Sequence, residues 1–196
     1  MEPNWLTLDR LQAVLCIVLD HAGPALARHP YRLVGTAAAL LQGVALPARD
    51  IDILVRERPA VDAIGAALAA FRCLDPPAYL PAARQYYGNY EVDGVEVGIS
   101  TVEWETDSDG IECLGRGPWE HYHLVPCGPY TVPAVALELR LVSELCRGRP
   151  DRYGPLLAHL RAHGGDAALV CRGLAARGFD SQRQQEIVRQ LTAQGG

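Results

Sequence analysis

Two aspartates, Asp50 and Asp52, stand one residue apart in "RDIDILV" (49–55), each followed by an isoleucine. Ionised carboxylates are seldom buried alone, because stripping off their water is costly. A strand places Asp50 and Asp52 on one face and Ile51 and Ile53 on the other, towards a core. Two carboxylates converging from one face are hard oxygen ligands suited to Mg²⁺ or Mn²⁺. Upstream lies "LVGT" (33–36). Its glycine lets backbone approach a ligand closely, and a helix starting there offers N–H groups to phosphate. A metal site beside a phosphate site predicts a nucleoside triphosphate (NTP) bound with its magnesium. Taken singly, each motif has an ordinary reading: Asp-Ile-Asp as a solvated strand edge, Gly-Thr as a strand-to-helix turn. Their pairing carries the inference.

The elements around these residues must position them. Thr7 can cap a helix over about 9–19, with Leu11, Val14, Leu15 and Val18 on one face. "YRLVG" (31–35) reads as a short strand, "AAALLQGV" as a helix and 49–55 as a second strand. Pro59 suits the first turn of a helix through Phe71, and "DPPAYLPAA" reads as a loop. Asp93-Gly94 between alternating runs predicts a two-residue hairpin turn, with Val92 facing Val95, Glu91 facing Glu96 and Asn89 facing Gly98. "TDSDG" reads as another turn and "HYHLV" (121–125) as a strand. After Pro133 only helices are expected, ending at Gly148, Gly164-Gly165 and Gly178, with Ser181 and Gln184 as a capping box for the last. The fold class predicted is α/β: a small mixed β-sheet with flanking helices over 1–130, then a helical region over 131–196.

The 196 residues, 49% hydrophobic with a net charge of −5, describe a folded chain without the basic face a long nucleic-acid footprint needs. A local basic patch at "RGRPDR" keeps nucleic acid open as a partner. The apolar run "AVLCIVL" (13–19) is too short to span a membrane, and Asp20 and His21 follow it. No basic n-region or cleavage pattern opens the chain, and the six cysteines form no CxxC pair. Free thiols in a reducing cytoplasm are the expectation.

Gly-Thr, a short gap, then Asp-Ile-Asp-Ile resembles the signature of the nucleotidyltransferase superfamily, whose fold is shared with DNA polymerase beta. "LVGT", thirteen intervening residues and "DIDI" carry the resemblance, with Thr36 where serine is commoner. The helix "VPAVALELRLVSELCRGRP" is similar to the one following the core in small bacterial members. The resemblance implies transfer of an NMP from Mg–NTP to an acceptor hydroxyl, with pyrophosphate leaving. Asp50 and Asp52 would hold the metal, Gly35 and Thr36 the β and γ phosphates, and Arg140 would face the nucleotide. It also implies a third carboxylate on a later strand, where this chain reads "DGVEVGIS" and has Gly98. Either Glu96, on the same strand face, takes that role as metal ligand, or the site is incomplete and the chain is a nucleotide-binding or regulatory relative.

Small relatives include antibiotic-modifying enzymes and toxin-type transferases acting on tRNA or proteins. The acidic balance favours a small-molecule acceptor, with Glu91, Glu96, Glu103 and Glu105 gathered as an acidic cleft for a cationic one. Glu103 or Glu105 could also serve as a general base, against the plainer reading of exposed strand ends. Tyr86, Tyr87 and Tyr90 could stack on a base or acceptor, with core packing as their default. Cys113, His121, His123 and Cys127 offer zinc-ligand types, but at the spacing of no common finger.

Overall fold

The computed structural model describes residues 5–103, 111–113 and 115–193. Helix α1 (Leu8–Leu26) opens the chain, and the Thr7 hydroxyl accepts the Arg10 N–H at 3.2 Å as its cap. The helix runs past residue 19 and through Pro24, because Ala22, Ala25 and Leu26 continue its buried face. Strand β1 (Tyr31–Val34) passes directly into α2 (Gly35–Leu41); β2 (Asp50–Val55) leads to α3 (Arg58–Ala67). Strands β3 (Arg72–Leu80), β4 (Gln85–Val92) and β5 (Val95–Val102) form a meander. A short 3₁₀ turn (Ile111–Cys113) and helix α4 (Gly117–Glu120) precede β6 (Tyr122–Cys127) and β7 (Tyr130–Val135). Helices α5 (Leu137–Cys146), α6 (Pro150–His163), α7 (Ala167–Ala176) and α8 (Ser181–Thr192) complete the chain.

All seven strands join one mixed sheet in the order β3-β4-β5-β2-β1-β7-β6. The β2–β5 and β1–β7 pairs are parallel and the rest antiparallel. The predicted hairpin forms with its predicted register, and both turn residues have positive φ, 49° at Asp93 and 74° at Gly94. α1 and α3 pack together against the sheet, where Leu33, Ile51, Ile53, Val97 and Ile99 are fully or nearly fully buried. A second core joins Ala39, Val44 and Leu46 to Leu141, Leu156, Leu174 and Ile187 of the C-terminal helices.

Three local expectations are corrected. "DPPAYL" is no loop but part of β3, the sheet's edge, whose register shifts between Cys73 and Ala78 accommodate Pro76 and Pro77. Edge strands tolerate proline because one side of their ladder is unused. Residues 130–135 form β7 around Pro133, so the sheet continues past the point where helices alone were expected. The cap of α8 is Asp180, which accepts the Arg183 N–H at 2.8 Å, while the Gln184 side chain donates to the Phe179 carbonyl at 2.5 Å. The predicted "TDSDG" turn lies outside the described residues.

Candidate active site

Strand register places the carboxylates. β2 runs beside β5 with Asp50 next to Glu96, Asp52 next to Gly98 and Leu54 next to Ser100. On its other side β1 sets Val34 opposite Asp52, and the chain turns at once into α2. Gly35 therefore lands against Asp52. It has φ of 72°, and a Cβ there would come within 2.5 Å of the Asp52 Oδ2. The glycine is required twice, by its backbone angle and by the carboxylate filling the space of a side chain.

Gly35, Thr36, Asp50 and Asp52 line one cavity of about 290 Å³. Arg49 reaches it from the β2 approach, Arg140 from α5, Arg147 from the end of that helix and Arg152 from α6. The cationic counterpart of the acidic pair is thus supplied largely by the helical region. Asp50 is exposed and Asp52 half-buried. Burial first, then the charges of Asp50 and Glu112, push the Asp52 carboxyl up to about 7, with Arg140 and Arg147 pulling the other way.

Arg140 is itself almost fully buried. Its two terminal nitrogens donate to Glu112 and Glu144, which are also buried. Burial alone would lower its pKa; the two carboxylates outweigh that and raise it. Arg147 and Arg152 approach the same Glu144 oxygen at 3.6 and 3.9 Å. Among the described residues, one oxygen each of Glu112 and Glu144, and the Nε of Arg140 and of Arg152, are buried without a hydrogen-bond partner. The wall is a desolvated charge network with donor and acceptor capacity left over.

Glu96 stands beside Asp50 in register but does not line the cavity that holds the aspartate pair. It is exposed, and its Oε2 is 3.5 Å from the Asn89 amide nitrogen. Among the described residues no three His, Cys, Asp or Glu side chains converge as a metal cage. The position beside Asp52 belongs to Gly98, where a Cβ would meet the Tyr87 ring at 3.0 Å, its hydroxyl at 3.1 Å and Asp52 Oδ1 at 3.4 Å. Burial, then the Asp52 charge, push the Tyr87 phenol up to about 12, so it stays protonated at physiological pH.

The expected acidic cleft is not assembled either. Glu91 sits 3.5 Å from Arg72, Glu103 is gripped by Arg58 at 2.6 and 2.7 Å, and neither lines the cavity; Glu105 lies outside the described residues. Of the tyrosines, Tyr87 lines the cavity, Tyr86 donates to Asp62 at 2.9 Å and Tyr90 is buried. The zinc-ligand types are dispersed: Cys113 lines the cavity, while Cys127 is buried and accompanied by Cys16. The sequence reading missed Glu112 and Glu144, and read Arg147 and Arg152 only as part of the basic patch "RGRPDR". The spacing of Arg140 and Glu144 on one helix face was a readable signal; the arrival of Glu112 from a distant turn had none.

The fold is of the nucleotidyltransferase type. No protein-family model matches the sequence, and neither does any curated protein. Among solved structures, a Thermotoga maritima protein provisionally described as a nucleotidyltransferase superposes with a TM-score of 0.58 at 17% identity, over 83% of this chain and 99% of that one. The antibiotic-resistance factor ANT(2'')-Ia superposes at 0.53 and 14% identity, over 90% of this chain and 94% of that one. An antigenic nucleotidyltransferase-like protein of Paracoccidioides brasiliensis gives 0.52 and 12%, over 97% and 95%. Identities this low establish shared architecture and leave activity to be argued from the site.

Proposed function

We propose that this chain transfers an NMP from an NTP to a hydroxyl of a small-molecule acceptor. The observation that carries the reading is the contact of Gly35 with Asp52 inside a cavity walled by arginines. Two segments with thirteen residues between them there set the backbone of a helix start, which would hold phosphate, against paired carboxylates. The donor set suits a hard divalent cation: two carboxylates on one strand face, one of them held near a pKa of 7 by desolvation and its neighbour's charge. Mg²⁺ or Mn²⁺ held by Asp50 and Asp52 would lower the pKa of the acceptor hydroxyl and neutralise charge on the leaving group.

The chain's own groups do the positioning. First-turn N–H groups of a helix have no intrahelical acceptor, so the Gly35-Thr36 turn offers them to phosphate oxygens. Arg49, Arg140, Arg147 and Arg152 hold positive potential where negative charge accumulates. The acceptor oxygen forms its bond to the α-phosphorus as the bond from that phosphorus to the bridging oxygen breaks. The electron pair leaves with pyrophosphate, and the hydroxyl proton passes to water. The acidic overall balance and the architecture shared with an antibiotic-resistance factor support an antibiotic-like acceptor over nucleic acid.

The test is pyrophosphate release with each NTP and Mg²⁺, against a panel of hydroxyl-bearing antibiotics and against tRNA. Wild type should release pyrophosphate with at least one compound, and Asp50→Ala should lose at least a hundredfold in rate. Release with tRNA alone would overturn the acceptor, and growth arrest on expression relieved by Asp52→Asn would point to the toxin type. A second reading is favoured by Gly98 and the phenol over it: a nucleotide-binding relative without turnover. It predicts cation-dependent NTP binding with no pyrophosphate from any acceptor.

A further inference from the structure

Across the face that carries the carboxylates, three strands lay out rows of side chains. Asp50, Glu96 and Glu91 form one row; Asp52, Gly98 and Asn89 the next; Leu54, Ser100 and Tyr87 the third. A long side chain on one strand reaches the diagonal neighbour on the next. Tyr87 does so, lying over Gly98 with ring and hydroxyl within 3.1 Å of where a Cβ would stand. The hydroxyl lies on the cavity side, beside Asp52, since both residues line the same space.

We propose that Tyr87 occupies the place of a third carboxylate and restricts the Asp50–Asp52 pair to a single divalent cation, the one that enters with the NTP. The proposal rests on the nucleotidyl-transfer reading and goes beyond it. Two cations at 3.5–4 Å separation bring four positive charges into one small site and need anionic ligands from more than one direction. Among the described residues, neither Glu96 nor Glu112 joins the pair in a three-carboxylate cage. Glu96 is exposed, lines no part of the cavity and has its Oε2 3.5 Å from the Asn89 amide nitrogen, and Glu112 accepts from Arg140 through one oxygen. On the remaining side stands a phenol, which is neutral and presents a proton as well as a lone pair. It offers a second cation no anionic charge, fills its volume, and offers a hydrogen bond to an oxygen at the reaction centre. Tyr87 is in this sense a positioning residue, and Gly98 is glycine because the ring lies on it.

The measurement is Mn²⁺ binding to the full chain with a non-hydrolysable α,β-methylene NTP analogue, read by stoichiometry and by electron paramagnetic resonance. Wild type should bind one Mn²⁺ per chain and show no exchange-coupled pair. Tyr87→Phe keeps the ring and should keep one. Tyr87→Ala combined with Gly98→Asp opens the space and adds the carboxylate, and should gain a second, coupled Mn²⁺. A coupled pair in wild type overturns the proposal and needs no variant to do so. So does a double variant that melts as wild type does yet stays at one ion. In both cases analogue binding would leave the nucleotidyl-transfer reading standing. Failure of wild type to bind analogue or Mn²⁺ at all would sink that reading and this inference with it.

Discussion

Asp52 has the largest consequence of any single residue here. Its carboxyl titrates near 7 in the folded chain and near 3.9 in an unfolded one. Between those values the folded state holds a proton that the unfolded state has lost, so stability falls as pH rises through the window and the loss is complete above about 7. Asp52→Asn removes the ionisable group. It should raise the melting temperature relative to wild type at pH 8 and change it little at pH 4, while abolishing transfer. Scanning calorimetry at the two pH values checks this; an equal shift at both would show that charge at this position costs the fold nothing. The chain tolerates a destabilising group because the proposed chemistry uses it. Asp52 was legible as a candidate metal ligand from the pairing of Asp-Ile-Asp with the upstream Gly-Thr. Its contact with Gly35 was not, because that depends on β1 and β2 pairing antiparallel.

At the scale of elements, α5 reaches from the helical region into the site. It carries Arg140 and Glu144 one turn apart, and the 3₁₀ turn adds Glu112. Removing Arg140 takes the hydrogen-bonded cation from two buried carboxylates and leaves Glu144 only the more distant Arg147 and Arg152. Arg140→Met should therefore cost on the order of 3–5 kcal/mol in urea unfolding. Adding Glu112→Gln and Glu144→Gln to that variant should recover much of the loss, since neutral amides carry a smaller desolvation penalty. No recovery would show that Arg140 acts through its packing rather than its charge. The meander shows which elements sequence can specify. Asp93-Gly94 dictated the β4–β5 register through local turn geometry. β3 escaped notice because its prolines read as a loop, and only its place at the edge of the sheet reconciles them with strand pairing.

At the scale of the molecule, the helical region is not an appendage. Ala39 at the end of α2 shares one core with Leu141, Leu156 and Leu174, and the cavity takes its arginines from α5 and α6. The boundary expected at residue 130 falls on the first residue of β7, so the sheet itself crosses it. Residues 1–136 expressed alone should expose Ala39, Val44 and Leu46 and fail to bind the NTP analogue. Binding to that fragment in equilibrium dialysis, at wild-type affinity, would show the basic wall to be dispensable. Among the described residues no helix is long and apolar enough to cross a membrane.

By itself the sequence determined what local rules control: the helix start at Thr7, the hairpin and its register, and the shared strand face of Asp50 and Asp52. Periodicity, capping and turn geometry act over a few residues, so a few residues suffice to read them. Only the tertiary structure decided which groups stand around the two carboxylates. It left Glu96 out of the cavity lining, laid Tyr87 over Gly98, brought Glu112 to Arg140 and set four arginines along the cavity that holds the acidic pair. Those neighbours come from segments tens of residues apart. Their meeting is set by strand order and by the packing of α5 on α2 and of α6 on α5, which no local pattern encodes.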